Sequence, residues 1–146
     1  MSRSGYVDDC DSDETGRQNL WWANVKRSMQ SKRGQAFFRE MASALDAMPV
    51  KELIADEIVQ DGSVCAIGAV AVARKLDVSD LDPEDAEAVA KAFRISEPMA
   101  REIVYANDDE WGPSETPAKR WVRMRKWVDD QLMLIRLIRQ GGCVRF

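Results

Sequence analysis

Apolar residues recur at helical spacing along most of this chain. Trp21, Val25 and Met29 fall at i, i+4 and i+8, with Trp22 beside them. They predict a helix over about 16–30, opened by a capping box of Thr15 with Gln18. The polar stretch Ser31-Lys32-Arg33-Gly34 then breaks the pattern. Phe38, Met41, Ala42 and Leu45 place a second helix over about 35–47, and Met48-Pro49 stops it. The following segment, KELIADEIVQ (51–60), reads as a short helix. The alternative is a small hairpin within 50–65 that turns at Asp61-Gly62, a strong turn dipeptide.

The longest run without a charge lies at 64–73, inside GSVCAIGAVAVARKL. Its alanines favour helix over strand. Ser63 is the expected N-cap, and the helix is expected to end near Leu76. A helix apolar nearly all round belongs in a core. The small residues at 66, 68, 69 and 73 would let neighbouring helices approach closely, so Gly68→Leu should overpack the interior. The run is too short to span a bilayer, which needs roughly 20 apolar residues.

Residues 77–87, DVSDLDPEDAE, are dense in acids. They could form a cation site, but the glycine and spacing of an EF-hand loop are missing. The simpler reading is helix initiation, with Asp82 as cap, Pro83 in the first position, and Glu84 and Asp85 facing the helix dipole. Ala86, Val89, Ala90 and Phe93 form one apolar face, ending at Arg94. Ser96 is a fresh cap, Pro98 sits in the first turn, and Met99, Ile103 and Val104 form the next face. This order is that of a helix-turn-helix, whose second helix would enter a major groove. Glu97, Arg101 and Glu102 would be exposed on that helix, and the two carboxylates would meet phosphate repulsion. Residues 107–115 read as an exposed acidic loop carrying Trp111. Thr116 and Pro117 open a last helix over about 117–139, with Trp121, Met124, Val128, Leu132 and Ile135 in one stripe. The expectation is an all-α, single-domain bundle of six to seven helices around the Ala/Gly-rich helix. That domain covers 16–140, between a disordered acidic tail (1–15) and a short tail (141–146).

Composition narrows the chemistry. The chain has 146 residues, 45% hydrophobic and 32% charged, which fits one soluble domain. The first residues contain no apolar signal-peptide core. Three cysteines, Cys10, Cys65 and Cys143, are an odd count and fit a reducing cytosol. There is no histidine, so the commonest general base and metal ligand are missing. Cys65 could be a thiol activated near a helix N-terminus, but without a partner base it reads as a small buried hydrophobe. No metal, cofactor or catalytic residue is expected.

The net charge of −4 is unevenly laid out. Residues 77–115 carry three bases and twelve acids; residues 116–146 carry eight bases and two acids. The basic last helix either pairs with the acidic middle or forms a tryptophan-bearing surface for a partner. The apolar excess at 132–135 points to a contact with a second copy in a homodimer or with another partner.

The block GQAFFREMASALDAMPVKELIADEIVQDGSVCAIGAVAVARKLD, followed by AREIVYANDD and ETPAKRWVRMRKWV, resembles a family of small bacteriophage and prophage proteins without an assigned activity. The likeness covers about 30–128, and DGSVCAIGA, YANDD and ETPAKRW are its most specific parts. It implies a phage protein made in the host bacterial cytoplasm, and no mechanism. Small accessory phage proteins often bind host machinery. The expected function is therefore a non-enzymatic binding protein that blocks a host protein complex, such as a CRISPR effector. Its partner-binding residues would be Asp108, Asp109, Glu110, Trp111, Arg120, Trp121, Arg123 and Lys126. The alternative is a helix-turn-helix-like nucleic-acid-binding regulator using Arg94 and Arg101. An enzyme using Asp108, Asp109 or Cys65 lacks a partner group at catalytic spacing.

Overall fold

The computed structural model describes residues 16–108 and 114–139, with side chains from 20–108 and 114–132. Six α-helices and one small hairpin are present among these residues: α1 (Gly16–Gln30), α2 (Lys32–Ala47), β1 (Val59–Gln60), β2 (Ser63–Val64), α3 (Ala66–Arg74), α4 (Ala86–Phe93), α5 (Glu97–Asp108) and α6 (Pro117–Arg139). The fold is an all-α bundle, as the apolar periodicity predicts. None of these helices is long and apolar enough to cross a membrane.

The polar stretch expected to separate the first two helices is instead the first turn of α2. Ser31 Oγ accepts a hydrogen bond from Gly34 N at 3.0 Å and donates to Ser28 O at 2.7 Å, so the cap starts the helix at Lys32. Gly34 lies within that helix, and α1 approaches too closely there for a side chain. A Cβ there would collide with the Ser28 carbonyl and lie 2.9 Å from that of Met29.

The short helix expected at 51–60 does not form, and the hairpin takes its place. Val59 pairs with Val64 and Gln60 with Ser63. Asp61 (φ 52°) and Gly62 (φ 83°) both adopt the left-handed conformation that a two-residue hairpin turn demands. The preceding strand-like segment is held by Leu53 N→Pro117 O, Ile54 N→Val64 O and Cys65 N→Ile58 O, each 3.0 Å. Leu53, Ile54 and Ile58 sit at helical spacing, but Leu53 and Ile58 are buried from an extended chain.

Ser63 therefore belongs to β2, and Cys65 is the N-cap of α3. The crowded neighbour of Gly68 is this hairpin, not another helix. A Cβ at 68 would run into the Ile58 carbonyl and lie 3.0 Å from Val64 Cβ. α3 is buried from Ala66 to Ala71, but Val72 is 62% exposed and the helix closes on Lys75 in the left-handed region. The centre of the bundle is shared with α5, which buries seven of its twelve residues and packs on α1, α3, α4 and α6.

Asp85, not Asp82, caps α4, accepting from Ala88 N at 3.1 Å; Asp82 stabilises the turn ahead of it. Arg94 terminates α4 with φ 59°, and Ser96 Oγ accepts from Met99 N to open α5. Thr116 Oγ1 caps α6, whose Met124 and Val128 are fully buried against the core. Phe38 stacks edge-on against Trp127 of α6, and Phe37 against Phe93 of α4.

Candidate functional site

Three chain segments bring their polar groups together at the C-terminal end of α5. Asn107, 1% exposed, accepts from Ala66 N at 3.1 Å and donates to Ile54 O at 2.9 Å. It thereby ties the start of α3 to the segment before the hairpin. The last carbonyls of α5 have no helical partner, as at every helix end. α6 supplies the donors. Arg123 reaches Ala106 O at 2.6 Å and Asn107 O at 3.2 Å, and Arg120 reaches Asn107 O at 3.2 Å. Arg120 also donates to Leu53 O at 3.1 Å. Glu115, directly before the α6 cap, neutralises both guanidinium groups, at 2.7 Å from Arg123 and 3.3 Å from Arg120. The Arg123 hydrogen bonds hold its carboxyl below the ordinary glutamate range.

Cys65 lies beside this hub. Its sulfur accepts from Gly68 N at 3.4 Å, and burial pushes its thiol up to about 12. The neighbouring Asp108 adds to that shift. A thiol so held is protonated at neutral pH and is a poor nucleophile. Among the described residues, no group of three or more Cys, Asp and Glu side chains is placed to hold a metal ion.

The residues expected to bind a partner are thus divided. Asp108, Arg120 and Arg123 meet at the hub; Arg120 is only 5% exposed, and its guanidinium serves the interior. Trp121 is half-buried at the end of α2, donating to Leu45 O at 3.2 Å beneath the Lys51 ammonium. Lys126 points outward at 79% exposure, 3.8 Å from Asp130. Asp109, Glu110 and Trp111 lie outside the described residues. Arg94 is exposed, whereas Arg101 pairs with Glu97 and lies over the Trp21 ring. α4 and α5 keep the order of a helix-turn-helix, yet Met99, Ala100, Ile103, Val104 and Ala106 bury α5 in the bundle. A helix packed on that many sides has little surface to lay in a groove.

Asn107 and Glu115 were not among the residues singled out from the sequence. One signal was available. Arg120, Met124 and Val128 follow each other at i, i+4 and i+8, so Arg120 sits on the buried stripe of α6.

The outward charges fall in two chain segments of opposite sign. Asp77, Asp80, Asp82, Glu84, Asp85 and Glu87 are all exposed, and none is ion-paired among the described residues. By contrast, residues 16–39 carry six bases and no acid. The basic helix α6 meets the acidic middle segment at Glu115, through Arg120 and Arg123, and has no ion pair with residues 77–87 among the described residues. Its paired cations use Glu115, Asp46, Asp129 and Asp130 instead. No family model, no curated protein and no solved structure matches the chain.

Proposed function

We propose that this chain is a non-enzymatic binding protein of phage origin that occupies a basic surface of a host complex, such as a nucleic-acid channel in a defence assembly. One observation carries the reading: the solvent-facing run of carboxylates from Asp77 to Glu87, without ion-pair partners among the described residues. Negative charges fixed along a rigid edge imitate the field of a phosphate backbone and steer association with a cationic groove. The inward-facing polar groups support binding over chemistry. Cys65 is a helix cap with a thiol pushed up to about 12, and Glu115 is engaged by two arginines.

Asp80, Glu84 and Glu87 are the informative positions. Asp77, Asp82 and Asp85 also accept local hydrogen bonds, so changing them would disturb the turn. The test is purification of the tagged protein from bacterial lysate at low salt, beside the D80N/E84Q/E87Q variant. A stoichiometric host nucleic-acid-binding complex that the variant fails to recover, and that added nucleic acid displaces, is the expected result. Equal recovery by the variant, or no stoichiometric partner, overturns the reading.

A further inference from the structure

We propose that the cleft between the α1–α2 corner and the α4–α5 turn takes the phosphate backbone of a single nucleic-acid strand, without regard to base sequence. This surface is separate from the acidic edge, and its ligand is of the opposite charge.

The first observation is an imbalance in pairing. Arg74, Arg101, Arg120, Arg123, Arg125 and Lys126 each meet a carboxylate. Lys26, Arg27, Lys32, Arg33 and Arg39 meet none among the described residues, and neither do Lys51, Lys75, Lys91, Arg94 and Lys119, which are scattered along the chain. The first five all lie in the acid-free segment 16–39, which α1 and α2 fold into one corner. Uncompensated cations on two touching helices make a lasting positive potential.

The second observation is shape. The corner and the α4–α5 turn flank an open cleft of about 410 Å³, lined by Arg27, Ser28, Ser31, Arg33 and Gly34 on one side and by Ile95, Ser96 and Met99 on the other. No carboxylate lines it. Arg94, exposed and also without a carboxylate partner among the described residues, immediately precedes the Ile95-Ser96 side. Ser31 and Ser96 cap α2 and α5, so two helix N-termini border this space, but α1 and α4 end beside them and the opposed dipoles largely offset, which leaves the arginines as the source of charge. The serine hydroxyls are engaged within the caps, so recognition falls to the Arg27 and Arg33 guanidinium groups. Those forks match two phosphate oxygens at once.

Lys26, Lys32 and Arg39 add charge on the same two helices beyond the two arginines of the cleft, which suits a polymer with a charge at every nucleotide better than a lone anion. No aromatic side chain lines the cleft, so bases have nothing there to stack on.

The test uses the purified full chain and a fluorescein-labelled single-stranded DNA of about 20 nucleotides, followed by anisotropy across a salt series. No host complex is present, so failure here leaves the acidic-edge reading untouched. Wild type should bind at low salt, and the R27Q/R33Q variant should bind at least about tenfold more weakly. The slope of log affinity against log salt should fall by roughly 1.4 in the variant, about 0.7 for each phosphate contact removed. R125Q, remote from the cleft, should behave as wild type. Both cleft arginines are exposed, so the variant should melt as wild type does. No binding by wild type, or an unchanged slope in R27Q/R33Q, overturns the proposal. So does displacement of the DNA by poly-glutamate at equal charge concentration, which would assign the cleft to acidic peptides.

Discussion

Arg123 grips Glu115 at two points, Nε to Oε2 at 2.7 Å and Nη2 to Oε1 at 2.9 Å, while its third amine holds the Ala106 carbonyl. One side chain of α6 thus closes the end of α5 and fixes the residue before its own helix cap. The Arg123 side chain is 16% exposed and that of Glu115 is 9% exposed, so solvent screens the pair weakly. Arg123→Met should cost about 3 kcal/mol, because it strips a buried carboxylate of its principal partner and frees a helix-end carbonyl. Arg125→Ala is the comparison. Its partners Asp46 and Asp129 are more than half exposed, so that change should cost less than about 1 kcal/mol. Urea denaturation of both variants measures the difference; equal losses would remove the hub from its structural role.

Acid should weaken the same contact. The Glu115 carboxyl is held below its ordinary value of 4.5, chiefly by hydrogen bonding to Arg123. A depressed carboxylate contributes its stability above the unfolded-state value and loses it as pH falls through the folded value. Stability should therefore hold steady from this group between pH 7 and about pH 5, then decline on further acidification. Glu115→Gln should be less stable at neutral pH and show a flatter decline below pH 5. Thermal melts across that range test it, with a parallel decline in both proteins as the contrary result.

Thiol labelling reports on Cys65. In a C10S/C143S background, the folded protein at pH 8 should resist a maleimide reagent, because the Cys65 thiol is buried and pushed up to about 12. Labelling should become rapid only in denaturant. Reaction at the rate of a free cysteine in native buffer would contradict the closed packing around α3.

Gly68→Ala tests the seam between α3 and the hairpin. The added methyl meets a backbone carbonyl, which cannot rotate away as a side chain could. A loss of about 1–3 kcal/mol is expected. The hairpin should feel it first, so amide exchange at Cys65, bonded to Ile58 O, should accelerate more than exchange within α2.

The helices were legible where one apolar face repeats over three or more turns. α1 and α6 match their sequence boundaries, since Val25 and Met29, or Met124 and Val128, meet the core at each turn. Boundaries decided by tertiary contact were not. Gly34 reads as a breaker, yet the Ser31 cap carries α2 through it, and the closeness of α1 is what requires a glycine there. Leu53, Ile54 and Ile58 read as a helix face, yet their backbone bonds go to Val64, Cys65 and Pro117, far along the chain. Of the site, residue types were visible but not their direction. Asp108, Arg120 and Arg123 were singled out for an outer surface. The unsatisfied carbonyls at the end of α5 draw the two arginines inward, and no local pattern records that demand.

The bonds from Arg120 to Leu53 and from Trp121 to Leu45 span 67 and 76 residues. On a ribosome, the first five helices would emerge with the Leu53 carbonyl still waiting for a donor encoded downstream. The nascent chain therefore has a late locking step, and ordering of its early half should be completed only once the segment around Arg120 has cleared the exit tunnel.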